Sequence, residues 1–250
     1  MQHSQVHFLW PPSRTQPILR NDEVHVWSVS LSVADPILQE LRGALSNDEL
    51  LRCQRSPLLQ EQNRFIAGRG SLRHILALYL DTEPQVIQFG YGHAGKPFLT
   101  NPSHDIRFNI SHSGDLALIA VTLGREIGVD VELMSVMPEM TEIANRFFSD
   151  QAKTEFLATP TGERVEVFYK CWTEKESISK CTGDGITEEK PLPADDITVF
   201  PLSPATGYAA SLAIRGPASE LHTWHWPHQL PPVDSEHPYP VAAGAFLYCR

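Results

Sequence analysis

The chain has 250 residues, of which 42% are hydrophobic and 20% charged, so its size and composition favour one globular unit or two small halves with a real core. The formal net charge of −10 argues against nucleic-acid binding as the main function, because proteins that bind nucleic acids present basic surfaces. The four cysteines form no Cys-x-x-Cys pair, which indicates neither a zinc site nor a disulfide framework and suits a reducing compartment.

The sequence predicts neither export nor insertion into a membrane. The N-terminal residues lack a basic lead and a long apolar run, and Pro11-Pro12 interrupts them, so no signal peptide is predicted. The longest apolar run, around Leu116 to Val121, is far too short to span a bilayer. We therefore expect a cytoplasmic protein.

The first part of the chain is predicted to contain one strand followed by helices. The strand is Glu23–Ser30, a helix lies near Asp35–Leu45, and arginine-rich helical segments run from Asp48 to Leu80. Between Arg42 and Arg73, six arginines and three acidic residues give a local charge of +3. The acidic total thus comes from elsewhere, and this segment is either locally electropositive or a helix with ordinary solvated arginines.

The middle of the chain is predicted to consist of short strands joined by turns. Gly95-Lys96-Pro97 forms one turn, and a turn containing Gly124 is expected to lead into the last strand as a hairpin. The predicted strands are Phe89–Gly92, Pro97–Leu99, Arg107–Ile110, Asp115–Leu123 and Gly128–Leu133.

The last of these strands carries two carboxylates on one face. Asp130 and Glu132 alternate strictly with apolar residues, so both side chains point to the same side of the strand. Two carboxylates at positions i and i+2 repel each other unless a cation lies between them, and Mg²⁺ is the usual cation when a phosphate substrate completes its shell. An Asp-x-Glu pattern alone is weak evidence, because solvated strand faces produce it often.

The C-terminal part is predicted to contain three helices, two strands and an extension. The helices are Glu139–Phe148, Gln151–Leu157 and Glu163–Cys181, and Gly183 ends the last one. Residues 217–250 hold six of the twenty prolines and are predicted to form a peripheral extension with little regular structure. The two strands lie near Ile197–Phe200 and Tyr208–Ile214.

Three histidines recur at every third position of this extension, namely His222, His225 and His228. Pro227 interrupts helical spacing, and no carboxylate or cysteine joins the histidines in this repeat. Packed or solvated histidines are therefore favoured over a metal site.

The third predicted helix has a mixed face. Phe168, Trp172, Glu176 and Lys180 fall four residues apart and share one side of the helix. The two aromatic residues suit a core, whereas burying a charge without a partner is costly. Glu176 and Lys180 therefore lie at the rim of the core or meet a metal or an anion, the alternative being an exposed pair that contributes only a few tenths of a kcal/mol.

Several segments in a fixed order together resemble one enzyme family. The segments are Arg64-Phe65-x-x-Gly68-Arg69-x-x-Leu72-Arg73, Gly95-Lys96-Pro97, Phe108-Asn109-Ile110-Ser111-His112-Ser113, Gly128-Val129-Asp130-Val131-Glu132, Trp172-Thr173-x-Lys175-Glu176-Ser177-x-x-Lys180 and Thr182-Gly183-Asp184-Gly185-Ile186. Together they resemble the 4′-phosphopantetheinyl transferases, in particular their larger, single-chain, surfactin-synthetase-activating type and its cyanobacterial members. The resemblance covers roughly residues 22–215.

The resemblance implies a reaction and a fold. The reaction is transfer of the phosphopantetheine arm of coenzyme A to a serine of an apo acyl, peptidyl or aryl carrier protein, with release of adenosine 3′,5′-bisphosphate. The fold is α/β (α+β), with two pseudo-symmetric halves, small mostly antiparallel sheets and an active site in the cleft between them. We accordingly expect halves at 1–124 and 125–216, a peripheral extension at 217–250, and a monomer that binds neither nucleic acid nor membrane.

The resemblance also implies roles for single residues. Asp130, Glu132 and Glu176 match the Mg²⁺ ligands, and Lys180 matches a lysine near the leaving phosphate. Glu176 and Lys180 are the expected catalytic pair, with Glu176 acting as general base or only as metal ligand. The expected contacts of coenzyme A are Arg52, Arg69, Lys96, Ser111, His112 and Lys180.

One segment departs from the family pattern. After Arg146-Phe147-Phe148-Ser149-Asp150-Gln151 the chain has Ala152 where relatives often carry a glutamate, so either Asp150 or Glu155 replaces it or that carboxylate is dispensable.

Two other functions compete with group transfer. One is a Mg²⁺-dependent hydrolase of the coenzyme A pyrophosphate, and the other is a non-catalytic module that binds coenzyme A or a carrier protein. Both are less favoured, because the Lys175-Glu176-Ser177-x-x-Lys180 pattern is intact.

Overall fold

The structure is a computed structural model that describes residues 10–12, 17–92, 95–101, 105–183, 185, 196–217 and 220–228. These residues form six α-helices, which are α1 (Asp35–Gly43), α2 (Asn47–Cys53), α3 (Leu59–Leu80), α4 (Met140–Phe147), α5 (Asp150–Ala158) and α6 (Arg164–Thr182). They also form nine strands, which are β1 (Glu23–Ser30), β2 (Phe89–Tyr91), β3 (Pro97–Leu99), β4 (Ile106–Ser113), β5 (Leu116–Leu123), β6 (Ile127–Leu133), β7 (Ile197–Leu202), β8 (Tyr208–Arg215) and β9 (Glu220–His225).

The described strands form three sheets. The first sheet has the order β4-β5-β1-β9, the second pairs β2 with β3, and the third has the order β6-β8-β7. Among these strands, only β1 and β9 run parallel to each other. The predicted α/β fold with small, mostly antiparallel sheets is therefore confirmed.

The first sheet is buried on both faces. Along β1, Trp27 and Val29 pack into one apolar cluster with α1 and α3, whereas Val24 and Val26 pack into a second cluster with the third sheet. This division follows from the two-residue period of a strand. The sheet thus lies between two helices on one side and β6-β8-β7 on the other, which explains why β5 reads as a continuous apolar run.

Helix α6 covers the other face of the third sheet, and Gly128 of β6 allows it to lie close. A Cβ atom at Gly128 would lie 2.0 Å from the carbonyl oxygen of Ser177 and 2.4 Å from the backbone nitrogen of Cys181, both under the 3.0 Å that real Cβ contacts keep. Only glycine fits this position. The C-terminal turns of α6 are thereby held directly over β6.

The apolar half of the predicted stripe along α6 is confirmed. Phe168 is buried, and its ring stacks on that of Trp172 with 6.3 Å between the ring centroids. The helix ends at Gly183, whose φ of 79° is left-handed and costs glycine no strain. Neither α6 nor any other helix of the described residues is long and apolar enough to cross a membrane.

The predicted hairpin around Gly124 is wrong. Strand β6 pairs with β8 of the third sheet, and the hairpin in this region joins β4 to β5 across Gly114. Both edges of β5 are already occupied, by β4 and β1, so no edge remains for β6. The turn at Gly124 instead carries the chain from the first sheet to the third.

The prediction of little regular structure after residue 216 is also wrong where the structure describes that segment. Glu220–His225 forms β9, which extends the first sheet beside β1. Leu221 and Trp226 are buried there, so this strand completes the core. Residues 229–250 lie outside the described residues, and the prediction for them is not tested.

Candidate active site

The candidate site forms where an edge of the first sheet meets an edge of the third. Asn109, Ser111 and Ser113 alternate along β4, so their side chains share the face that looks at β6. The amide oxygen of Asn109 accepts from the backbone N–H of Val129 at 2.9 Å, and the Ser113 hydroxyl accepts from the N–H of Leu133 at 3.1 Å. Side chains of β4 thus satisfy backbone donors of β6 that have no strand partner on that edge.

Asp130 lies at the centre of the site and is 2% exposed. Its Oδ1 atom accepts from Lys180 Nζ at 2.5 Å and from the Ser111 hydroxyl at 2.8 Å, and Lys180 Nζ also lies 2.9 Å from Ser111 Oγ. Its Oδ2 atom is buried and accepts no hydrogen bond within the part of the chain that the structure describes. A buried carboxylate oxygen without a partner is costly, so this atom is suited to bind a cation.

Two further carboxylates face Asp130. Glu132 accepts from the Ser113 hydroxyl at 2.8 Å, and burial together with the charge of Asp130 raises the pKa of its carboxyl. Burial also raises the pKa of Glu176 to about 7, with the charges of Asp130 and Glu132 adding to the effect and that of Lys180 opposing it. Buried carboxyl groups with raised pKa values beside another carboxylate are typical of a functional site.

These oxygens suit Mg²⁺ in kind, although they do not meet at one point. Only at Glu23, His25 and His222, among the residues described, do three potential ligand atoms all lie within 4.8 Å of one another. At the acidic site, Lys180 and two serine hydroxyls hold the carboxylates, and like charges keep the carboxylates apart. The all-oxygen donor set and the unpaired oxygen of Asp130 fit a magnesium ion.

Lys96 lies away from these carboxylates. Its Nζ donates to the carbonyl oxygen of Ile127 at 2.9 Å and to Glu126 at 3.2 Å, which ties the turn before β3 to the start of β6. It borders a cleft of about 550 Å³ that extends to Gly183 at the end of α6. The cleft therefore adjoins the end of α6, but none of the three carboxylates lines it.

The two predicted arginine contacts meet at Tyr91. Arg69 is buried, and its guanidinium donates to Glu49 and to the Tyr91 hydroxyl, both at 2.5 Å. Arg73 donates to the other oxygen of Glu49 at 2.8 Å. Burial alone would raise the pKa of Glu49, but the hydrogen bonds and charges of these arginines lower it. Arg52 is exposed, with its guanidinium 5.9 Å from the Tyr91 ring centroid, so it is the one available to a ligand.

Ser111 and His112 are separated by strand alternation. Ser111 faces Asp130, whereas His112 is exposed and points to the opposite side of β4. Partial desolvation of its ring and the charge of Lys180 lower the pKa of His112. The structure thus brings together Ser111, Lys180 and the three carboxylates, gathers Arg52 and Arg69 elsewhere, and leaves Lys96 and His112 at positions of their own.

Sequence reasoning missed three residues that build the site. Asn109 and Ser113 hold the edge of β6, and Gly128 admits α6. The i, i+2, i+4 pattern on β4 would have identified Asn109 and Ser113, by the same reasoning that paired Asp130 with Glu132.

The segment that departs from the family pattern lies at the start of α5. Ser149 caps this helix through a bond from the N–H of Ala152, and the exposed Asp150 pairs with Lys153 at 3.2 Å. Glu155 lies near Glu174 of α6, and its charge contributes to the raised pKa of Glu174 after burial. Of the two carboxylates considered as replacements for the family glutamate, Glu155 is therefore the one that lies near α6.

Comparison with known proteins gives a consistent result. Residues 34–123 match the family model described as 4′-phosphopantetheinyl transferase, N-terminal, and residues 126–243 match that of the 4′-phosphopantetheinyl transferase superfamily. A 4′-phosphopantetheinyl transferase of Nostoc, HetI, is 37% identical over 198 residues, which are 78% of this chain and 82% of the relative. A putative 4′-phosphopantetheinyl transferase of Synechocystis is 34% identical over 69% of this chain and 71% of its own. The transferase Sfp of Bacillus subtilis is 31% identical over 62% and 66%.

Proposed function

Because the chain belongs to the 4′-phosphopantetheinyl transferase superfamily, we propose that it transfers the phosphopantetheine group of coenzyme A to a serine of an apo carrier protein. The reaction depends on Mg²⁺ and releases adenosine 3′,5′-bisphosphate. Because it converts an apo carrier protein to the holo form, the enzyme acts as a holo-acyl-carrier-protein synthase. The observation that carries this proposal is the buried Asp130, which Lys180 binds on one oxygen and whose other oxygen has no hydrogen-bond partner among the described residues.

We propose Asp130, Glu132 and Glu176 as the ligands of Mg²⁺. When bound, this ion neutralises and orients the oxygens of the coenzyme A pyrophosphate, which would otherwise repel a nucleophile. Two observations support this assignment: Oδ2 of Asp130 has no hydrogen-bond partner among the described residues, and burial raises the pKa of both glutamates, with the charge of Asp130 adding to the effect. Ser111 and Ser113 position Asp130 and Glu132 through their hydroxyls.

Lys180 is the proposed electrostatic partner of the leaving phosphate. Its ammonium lies at the end of α6, between Ser111 and Asp130 and beside the three carboxylates. A fixed cation at this point stabilises the charge that develops on the departing bisphosphate. Because phosphoryl transfer requires mainly positioning and electrostatics, Lys180 and the three carboxylates supply the main protein groups that it needs.

Glu176 is the proposed acceptor of the proton from the carrier serine. With a pKa of about 7, its carboxylate takes up a proton near neutral pH, where a general base works best. The serine hydroxyl passes its proton to Glu176 directly or through one water molecule. The same carboxylate is also a proposed metal ligand, and its pKa of about 7 belongs to the metal-free protein.

The remaining contacts of coenzyme A are proposed at the edges of this site. Arg52 and Arg69 lie around Tyr91 and Lys96 lies beside the cleft; of the two arginines the exposed Arg52 is proposed to contact phosphate directly and the buried Arg69 to support Tyr91 beside it, with Ser111 and His112 nearer the reacting centre. We also propose that the halves meet near residue 124, because β4 lies before this point, β6 lies after it, and the site forms between them.

Mass measurement of the carrier protein tests this function. The enzyme is incubated with an apo carrier, coenzyme A and Mg²⁺, and the carrier is expected to gain one phosphopantetheine. Breakdown of coenzyme A with an unmodified carrier would instead identify a hydrolase, and no change in either would identify a binding module. Glu174→Gln, two residues from Glu176 on α6, is the matched control for Glu176→Gln and keeps wild-type transfer.

A further inference from the structure

Strands β1 and β9 carry the same pattern, Glu-x-His-x-Trp, at residues 23–27 and 220–224. The parallel pairing sets the two copies in register, so each glutamate, histidine and tryptophan lies beside its equivalent. Both histidines therefore lie on one face of the sheet. The C-terminal histidines have Glu220 close by in the sequence, and the pairing adds Glu23 and His25 of β1, which the spacing of the C-terminal histidines alone does not reveal.

The glutamates and histidines converge. His25 Nε2 lies 3.3 Å from Glu23 Oε2, and His222 Nε2 lies 3.3 Å from Glu220 Oε2 and 3.9 Å from Glu23 Oε1. One nitrogen or oxygen atom from each of Glu23, His25 and His222 lies within 4.8 Å of the other two. Small side-chain rotations would place these three atoms around a single ion.

The cluster is buried at its centre and open at one side. The side chains of Glu23 and His25 are each 3% exposed, that of His222 is 10% exposed, and that of Glu220 is 24% exposed. At the open side, the exposed Arg20 holds Glu23 Oε1 at 2.8 Å, and a bound cation would take over the role of its charge beside this buried carboxylate.

A hydrogen-bonded partner orients His25 from behind. The Tyr79 hydroxyl lies 2.9 Å from His25 Nδ1 and accepts from the indole N–H of Trp27 at 2.8 Å. When His25 donates its Nδ1–H to Tyr79, the lone pair of Nε2 points at Glu23. Metal-bound histidines are commonly fixed in this way through their other ring nitrogen.

We propose that Glu23, His25 and His222 bind a Zn²⁺ ion, with Glu220 as the fourth ligand at the open side. Two imidazoles and two carboxylates form a tetrahedral donor set that zinc accepts, and the two negative charges balance the ion. Mg²⁺ is disfavoured here, because it prefers an octahedral shell of oxygen atoms. The ion joins β1 to β9 and so stabilises the parallel pairing of these two strands at the edge of the first sheet.

This site is separate from the proposed transfer site. It lies on β1 and β9, whereas the acidic site lies beside β4, and β5 lies between β1 and β4 in the same sheet. The proposal therefore does not depend on the transferase activity. Its tests measure metal binding and stability.

Calorimetric titration of the metal-free protein with Zn²⁺, in excess Mg²⁺, tests the proposal. We expect one zinc ion per chain and a higher Tm with zinc than without, because a ligand that binds only the folded state stabilises it. His222→Gln should weaken zinc binding at least about tenfold, and Tyr79→Phe should weaken it about ten- to a hundredfold as loss of an outer partner does. The matched control is His225→Gln on the same strand, whose ring bonds Ser28 instead, and it should leave zinc affinity unchanged.

Two further measurements keep the result unambiguous. Co²⁺ in place of Zn²⁺ should give the visible absorption of a tetrahedral complex, and Glu176→Gln should bind zinc like the wild type. If His222→Gln does not fold, the partly exposed Glu220→Gln replaces it and should also weaken binding. Equal zinc affinity in the wild type and the ligand variants would overturn the proposal, as would loss of binding in Glu176→Gln or a Tm that zinc leaves unchanged.

Discussion

The carboxyl group of Glu176 has opposite effects on stability and on activity. Its pKa is raised from 4.5 to about 7, so the folded protein holds this proton more tightly than the unfolded chain. Between these two pH values the unfolded chain is already ionised, and the stability of the metal-free protein therefore falls as the pH rises. Glutamine has the same shape as glutamate and does not ionise, so this fall in stability with rising pH should be absent from the variant.

We predict that Glu176→Gln abolishes most transfer and raises the Tm of the metal-free protein at neutral pH. Each kcal/mol of relieved repulsion adds about 2–4 °C for a chain of this size. The Tm difference from wild type should grow between pH 4.5 and about 7 in the presence of a chelator. If transfer stays near the wild-type rate, Glu176 is only a surface partner of Lys180, and a collapse of Tm would reveal a structural role.

The affinity for Mg²⁺ should depend on pH through the same group. Binding an ion requires ionised carboxylates, so the proton on Glu176 must leave. Below pH about 7 we expect affinity to rise by up to about tenfold per pH unit, and above it to level off. Titration of the wild type and of Glu176→Gln at several pH values measures this. A wild-type affinity that is flat from pH 5.5 to 7 would contradict the assignment of Glu176 as a ligand.

We expect Arg52, rather than Arg69, to bind the 3′-phosphate of coenzyme A. Arg69→Ala would leave the buried Glu49 with Arg73 alone and should destabilise the fold by about 3 kcal/mol or more, since it breaks a buried charge network. Arg52 is exposed near Tyr91 and has no such structural duty among its described contacts.

Arg52→Ala should therefore lower kcat/KM for coenzyme A about ten- to a hundredfold and barely alter that for 3′-dephospho-coenzyme A. This range corresponds to one charge-assisted hydrogen bond of about 1.5–3 kcal/mol. Arg55→Ala, an exposed neighbour, is the matched control and should leave the ratio of the two coenzymes unchanged. Equal losses for both coenzymes in Arg52→Ala would place the 3′-phosphate elsewhere.

The contact between α6 and β6 depends on one glycine. Gly128→Ala would place a methyl group 2.0 Å from the Ser177 carbonyl oxygen. The close atoms belong to the backbone of α6, so they can move away only if the helix moves. We expect overpacking to lower the free energy of unfolding by about 1–3 kcal/mol or more. Transfer activity should also fall, because Lys180 moves with α6. Gly162→Ala, which meets nothing within 4 Å, is the control. Wild-type melting and transfer in Gly128→Ala would show that α6 lies farther from β6 than described.

Elements with strong local patterns were predictable, and their partners were not. The strand Glu23–Ser30 was predicted with its observed bounds, and the glycine that ends α6 was identified, because each rests on neighbouring residues. The false hairpin at Gly124 arose because the pairing of β6 depends on which edges other strands leave free. Within the site, the sequence placed Asp130 with Lys180 only through resemblance, since fifty residues separate them.

The last described strand, β9, completes the core of the first sheet. The proline-rich composition of its segment did not predict this strand. Strand β9 lies beside β1, and Leu221 and Trp226 are buried against the core, with Trp224 packed on Trp27 at 5.0 Å between ring centroids. Removing large buried side chains costs about 2–5 kcal/mol each, so losing the whole strand approaches the total stability of an ordinary domain.

We therefore predict that a chain ending at residue 216 folds poorly or not at all, whereas one ending at residue 228 keeps every contact described for β9 and retains transfer activity. Exposure of the edge of β1 should also make the shorter chain prone to aggregate, since an uncovered strand edge pairs with other chains. Thermal unfolding and light scattering of the two truncated proteins measure this directly. Similar Tm values for the two truncated proteins would mean that β9 contributes little to stability. The proposed zinc ion would then lose its stabilising role as well, because that ion acts by joining β9 to β1.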